Sequence, residues 1–63
     1  MKNYVEERRK KLKLTQEEVA RKCDISLTTY RNIEKNRNIP SIEIALKLMK
    51  ILETNNIYEL FEL

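Results

Sequence analysis

The 63-residue sequence contains no histidine, no glycine and no tryptophan, with one cysteine and one proline. Without histidine, the commonest general base and metal ligand is missing. Without glycine there is neither a glycine-rich phosphate loop nor a dinucleotide fingerprint. A single cysteine makes no internal disulfide, and without histidine it makes neither a nucleophile pair nor a zinc site. Enzyme chemistry, a metal and a cofactor are therefore not expected. No apolar run approaches the roughly 20 residues of a membrane span, and the basic N-terminus lacks the apolar region of a secretion signal. No membrane partner is expected, and the cysteine usage suits a cytoplasmic setting.

What is present fits one small all-α domain over residues 1–63. Its 41% hydrophobic content suffices for a single core, and its 37% charged content suits a soluble chain. Charge is unevenly placed. Residues 1–37 hold 11 of the 13 Lys and Arg and six of the ten acids, a net of +5, whereas residues 38–63 carry two bases and four acids. A basic front and an acidic, apolar rear suggest one side for a polyanion and another for a partner.

Five short helices are expected. The first, over 2–12, places Tyr4, Val5 and Leu12 on one face, with Arg8 and Arg9 on the same arc. Thr15 opens the second through TQEE, a capping box in which Thr15 accepts from the Glu18 amide while Glu18 reaches back. Its inner face is Val19, Ala20 and Cys23. Ser26 caps a third helix over about 26–35. Ser41 caps a fourth running to about Leu52, with Ile42, Ala45, Leu46, Met49 and Leu52 as its inward stripe. A fifth starts at Asn56. Lacking glycine, the turns fall to residues that tolerate a left-handed backbone, and Asp24, Asn36 and Asn55 stand where helices end. Lys13 fits that role less comfortably.

The third helix shows an unusual outer face. Tyr30 and Ile33 point inward, while Leu27, Thr28, Arg31, Asn32 and Lys35 gather opposite them. That outer set is short, hydrogen-bonding and mostly uncharged, where a solvated face would carry Glu and Lys. Two helices joined by a three-residue turn, the second with such a face, describe a helix-turn-helix over about 15–35. Such a unit lays its second helix in the DNA major groove. Asn32 suits an adenine edge, Arg31 guanine or phosphate, and Thr28 either base type; Leu27 either meets a thymine methyl or borders the core.

The segment LTQEEVARKCDISLTTYRNIEKNRNIPSIEIALKLMKIL resembles the lambda-repressor and Cro-like helix-turn-helix family. The likeness rests on Leu14-Thr15-Gln16, Val19-Ala20, Ile25-Ser26, the Tyr30…Ile33-Glu34 pattern, Pro40-Ser41 and the apolar helix ending at Leu52. It implies base reading from Leu27, Thr28, Asn32 and sometimes Arg31. It implies phosphate contacts from Gln16 and from the loop at Asn36 and Arg37, with Thr29 and Lys35 beside them. An acid at the position of Glu34 stands close to an arginine at that of Arg9, implying a partly buried structural ion pair. Relatives usually carry glycine where Lys13, Asp24 and Asn36 stand, and an apolar residue at Arg8. Here the Arg8 stem can cover the core while its head stays wet.

The fourth helix has more apolar surface than one core needs. Ile44, Leu48 and Ile51 form an arc beside the inward stripe, and the tail adds Ile57, Tyr58, Leu60, Phe61 and Leu63. These predict a homodimer through residues 44–63, unless the tail only closes the core. The expectation is thus a regulator that binds double-stranded DNA as a homodimer, most simply a repressor at a palindromic operator. The rival is a protein-binding module, such as an antitoxin, whose rear face captures another protein.

Overall fold

The computed structural model describes residues 1–62. Among the described residues there are four helices: α1 (Val5–Lys11), α2 (Gln16–Lys22), α3 (Leu27–Glu34) and α4 (Ile42–Ile51). The expected fifth helix is replaced by a 3-10 turn at Ile57–Glu59, followed by a strand. The expected start of the first helix is likewise extended. Strand β1 (Lys2–Asn3) pairs antiparallel with β2 (Phe61–Glu62), Lys2 opposite Glu62 and Asn3 opposite Phe61. The physical reason is length, because a few residues make a poor helix nucleus. Extended, they pair with each other and still bury Leu60 and Phe61 in the core.

The N-caps are local and follow from side-chain chemistry. Thr15 Oγ1 accepts from Glu18 N at 3.1 Å, and Glu18 Oε1 accepts from Thr15 N at 2.9 Å. Ser26 and Ser41 each accept from the backbone amide three residues on.

All four helices end alike. Lys13, Asp24, Asn36 and Glu53 have φ of 59°, 59°, 62° and 58°. At each end the residue after the left-handed one donates its amide back to a carbonyl five residues earlier, as Leu14 does to Arg9 and Thr54 to Met49. The left-handed backbone thus satisfies carbonyls that a helix end leaves open. Glu53, not Asn55, takes this role after α4, because the helix stops at Ile51.

Arg8 does more than cover the core. Its Nε and Nη2 donate to the carbonyls of Leu52 and Glu53, each at 2.8 Å, closing the C-terminus of α4 with a positive charge.

The core joins Val5, Val19, Ala20, Cys23, Tyr30, Ile33, Leu48, Leu52, Leu60 and Phe61. On α4 the buried face takes parts of both apolar arcs: of the expected inward stripe Leu52 is fully buried and Met49 packs against the core, while Ile42 and Leu46 stay outside. Leu48 is fully buried and Ile44 and Ile51 pack against the core, whereas Ile42 is 81% and Leu46 58% exposed. Both arcs are apolar, so periodicity along α4 does not choose between them. Packing against α2 does. No helix among the described residues is long and apolar enough to cross a membrane.

Candidate nucleic-acid interface

The interface is built on α3, whose position is set from both ends. At its start, Ser26 Oγ accepts from Thr29 N at 3.1 Å and donates to Thr29 Oγ1 at 2.9 Å. The preceding turn is tied down by Ile25 N, which donates to Ala20 O at 3.1 Å. At its end, Asn3 Nδ2 donates to the Ile33 carbonyl and Asn3 Oδ1 accepts from Val5 N at 2.9 Å. Asn36 Nδ2 donates to the Met1 carbonyl at 2.6 Å. The β-ribbon therefore grips the C-terminus of α3 through its N-terminal strand.

The inner face of α3 buries Tyr30 and Ile33. Thr28, Arg31 and Lys35 are exposed on the other side, with Asn32 and Thr29 half-exposed. Leu27 is half-buried and packs against the core, so only part of it is available to a partner. Asn36 and Arg37 follow on the exposed loop, and Arg37 shares a shallow depression with Thr29. Arg37 N donates to Asn32 O at 2.9 Å, which holds the loop against the end of the helix.

Behind this face lies a polar cluster centred on Glu34. Arg9 Nε donates to Glu34 Oε2 at 2.7 Å, with the two side chains only 10% and 3% exposed. Tyr30 donates its hydroxyl to the same oxygen. Gln16 Nε2 donates to Glu34 Oε1 at 3.0 Å, and Gln16 Oε1 accepts from Arg31 Nε at 3.2 Å. Burial alone would raise the Glu34 carboxyl, but hydrogen bonds from Arg9, Tyr30 and Gln16 outweigh it and hold the group below the usual carboxylate range. Burial likewise opposes the charge on Arg9, and the Glu34 carboxylate reverses that effect. Burial, reinforced by Glu34, pushes the Tyr30 hydroxyl well up, so it remains a donor. Cys23 is a buried thiol whose ionisation is opposed by burial. Among the described residues no buried side-chain polar atom lacks a partner.

The structure thus gathers Arg9, Gln16, Arg31 and Glu34 into one network. Sequence reading did not anticipate Tyr30 as a member, although its i,i+4 spacing from Glu34 on one helix carried the signal. It also missed Asn3, whose contacts depend on a strand that no periodicity announces. Of the residues expected at a dimer surface, Leu48 and Phe61 are buried in the chain's own core, and Ile44 and Ile51 are half-buried against it. Ile57 and Tyr58 are exposed, and Leu63 lies outside the described residues. Ile39, Ile42 and Leu46, outside the expected set, are also exposed.

A family model described as helix-turn-helix matches residues 5–55, from the start of α1 past the end of α4. A relative from Methanothermobacter thermautotrophicus (strain Delta H), described as an uncharacterized HTH-type transcriptional regulator, is 35% identical over 61 residues, covering 97% of this chain and 88% of its own. With α2, the turn and α3 in that arrangement, the chain belongs to the XRE-type helix-turn-helix DNA-binding family.

Proposed function

We propose that this protein is a sequence-specific transcriptional regulator that binds a palindromic operator as a homodimer, acting as a repressor by occupying the site. The observation that carries the reading is the outer face of α3. It presents Thr28, Arg31 and Asn32 from a helix capped at its start and gripped at its end by side-chain hydrogen bonds. Thr28, Arg31 and Asn32 are the base readers, with the exposed part of Leu27 against a thymine methyl. Gln16, Thr29, Lys35, Asn36 and Arg37 hold phosphates around them. The net +5 of residues 1–37 supports attraction to the DNA backbone.

The second copy docks on the apolar surface of Ile39, Ile42, Leu46 and Tyr58, exposed by 83%, 81%, 58% and 63%. Large side chains left so open on a chain this small favour a partner. A palindromic operator presents half-sites about 34 Å apart, one DNA turn, which the two α3 helices of a symmetric pair would meet. The same surface favours a second reading, capture of a different protein as an antitoxin would do.

The test is selection of binding sites from a randomised duplex pool at low and moderate salt. Enrichment of a two-fold-symmetric site with half-sites about one helical turn apart is the expected result. Binding without enrichment, lost as salt rises, would leave only phosphate contact and sink the specific reading. Asn32→Ala should weaken the enriched site by roughly 1–3 kcal/mol and relax specificity there.

A further inference from the structure

Arg31 is exposed on α3, yet one edge of its guanidinium is already engaged. Its Nε donates to Gln16 Oε1 at 3.2 Å, and Gln16 Nε2 donates to Glu34 Oε1 at 3.0 Å. Gln16 therefore lies between a group that only donates and a group that only accepts. The amide has one workable orientation, because reversing it would turn oxygen toward carboxylate and NH2 toward guanidinium. Glu34 cannot follow a wandering Gln16, since Arg9 and Tyr30 hold its other oxygen and its side chain is 3% exposed. An order of position thus runs from the buried pair through Gln16 to the outer surface.

From this arrangement we infer that Gln16 is a positioning residue: it holds Arg31 by Nε, aims the two terminal nitrogens away from α3, and so makes Arg31 a reader of guanine. The inference rests on the reading of α3 as a DNA-recognition helix. Guanine offers O6 and N7 as paired acceptors in the major groove, and an arginine fork matches them end-on. With Nε occupied, the end-on pair is the bidentate edge that remains. Fixing the fork before binding also removes freedom that would otherwise be lost on contact. A phosphate tether needs no such alignment, because its acceptors are met from many directions. The second N–H of Gln16 stays available to a phosphate, so positioning adds to that role and does not replace it.

The test uses the full chain and fluorescence-anisotropy titrations. The duplexes are the selected site, its single-base-pair variants and a scrambled sequence. The variants are Gln16→Met, Arg31→Ala, Arg31→Lys and the double variant Q16M/R31A. Wild type should prefer guanine at one position of each half-site by roughly tenfold or more. Q16M should lose most of that preference at the same position while keeping those set by Thr28 and Asn32. Weaker binding to the scrambled duplex reports its lost phosphate contact and should be the smaller part of the effect at the selected site. Q16M/R31A should be no less selective than R31A, showing that the two side chains act as one unit. R31K leaves every hydrogen bond to Glu34 in place, so it reports even if Q16M folds poorly. It should keep scrambled-duplex binding and lose much of the guanine preference, because a lysine ammonium can reach O6 and N7 but has neither the fixed fork nor the Nε that Gln16 holds.

A uniform loss across all duplexes in Q16M would reduce Gln16 to a phosphate anchor and overturn the inference. A guanine preference undiminished in Q16M or in R31K would overturn it as well. A wild-type protein that enriches a site but shows no guanine dependence on Arg31 overturns this inference alone. One that enriches nothing overturns the operator reading too.

Discussion

Arg9 on α1 and Glu34 at the end of α3 meet at 2.7 Å with side chains 10% and 3% exposed, and the recognition helix is thereby anchored to the helix that precedes the helix-turn-helix. Two charges so placed lose most of their hydration, which their attraction alone need not offset. Here the remaining bonding capacity is filled: Arg9 Nη1 also donates to Leu14 O at 3.0 Å, and Glu34 also accepts from Tyr30 and Gln16. The pair is therefore costly to break from either side.

Glu34→Ala strands the Arg9 guanidinium beside an unpartnered tyrosine. It should destabilise the fold by about 3–5 kcal/mol, a large share of what a chain of this size has. Urea denaturation measures it, and a loss below about 1 kcal/mol would show that the pair is dispensable.

The same carboxylate sets an acid limit. Its folded pKa is below the ordinary 4.5, so the stability it contributes is fully present above that value and is lost as pH falls through the lower folded value. Melting temperature should fall from about pH 4.5 downward. In Glu34→Gln, which has nothing to titrate there, this part of the decline should flatten; a wild-type slope in the variant would assign the effect to other carboxylates.

Four helix ends use left-handed residues, and two of these, Lys13 and Glu53, are poor at it. That conformation costs a non-glycine residue about 1–2 kcal/mol, and the extra chain entropy of glycine when unfolded takes back about 0.4–1. Lys13→Gly and Glu53→Gly should therefore each raise stability by roughly 0.5–1 kcal/mol in thermal or urea unfolding. Asn36→Gly should gain less, since it gives up the bond to Met1. A destabilised Lys13→Gly would mean its side chain matters more than its backbone.

Leu48 and Leu46, one from each apolar arc of α4, separate by mutation. Leu48→Ala, at a fully buried site, should cost about 2–5 kcal/mol, whereas Leu46→Ala should stay within about 0.5 kcal/mol in the monomer. Comparable losses at both would mean that Leu46 is buried in solution.

Leu46→Glu places a charge in the exposed apolar surface without entering the core. Sedimentation equilibrium should show self-association in the wild type and a folded monomer in the variant, with weaker binding to a two-half-site operator. An unchanged association constant would move the dimer contact elsewhere on the molecule.

The local chemistry of this protein was legible in its residues. TQEE and the serines at 26 and 41 place three helix starts by side-chain-to-backbone bonds that span three residues. The inward Tyr30 and Ile33 and the polar outer face of α3 follow from a period of 3.6 residues, and together they identify the helix-turn-helix. Three features needed the tertiary structure. The β-ribbon joins residues at opposite ends of the chain, where no local propensity speaks for extended backbone. The buried arc of α4 was ambiguous because both arcs are apolar, and only packing against α2 chose Leu48 over Leu46. The link from Gln16 to Arg31 depends on two helices crossing at one distance and angle, with Glu34 held between them by Arg9. Hydrogen bonds act over about 3 Å; residue order can say which partners are suited to meet, and only the packed helices decide that they do.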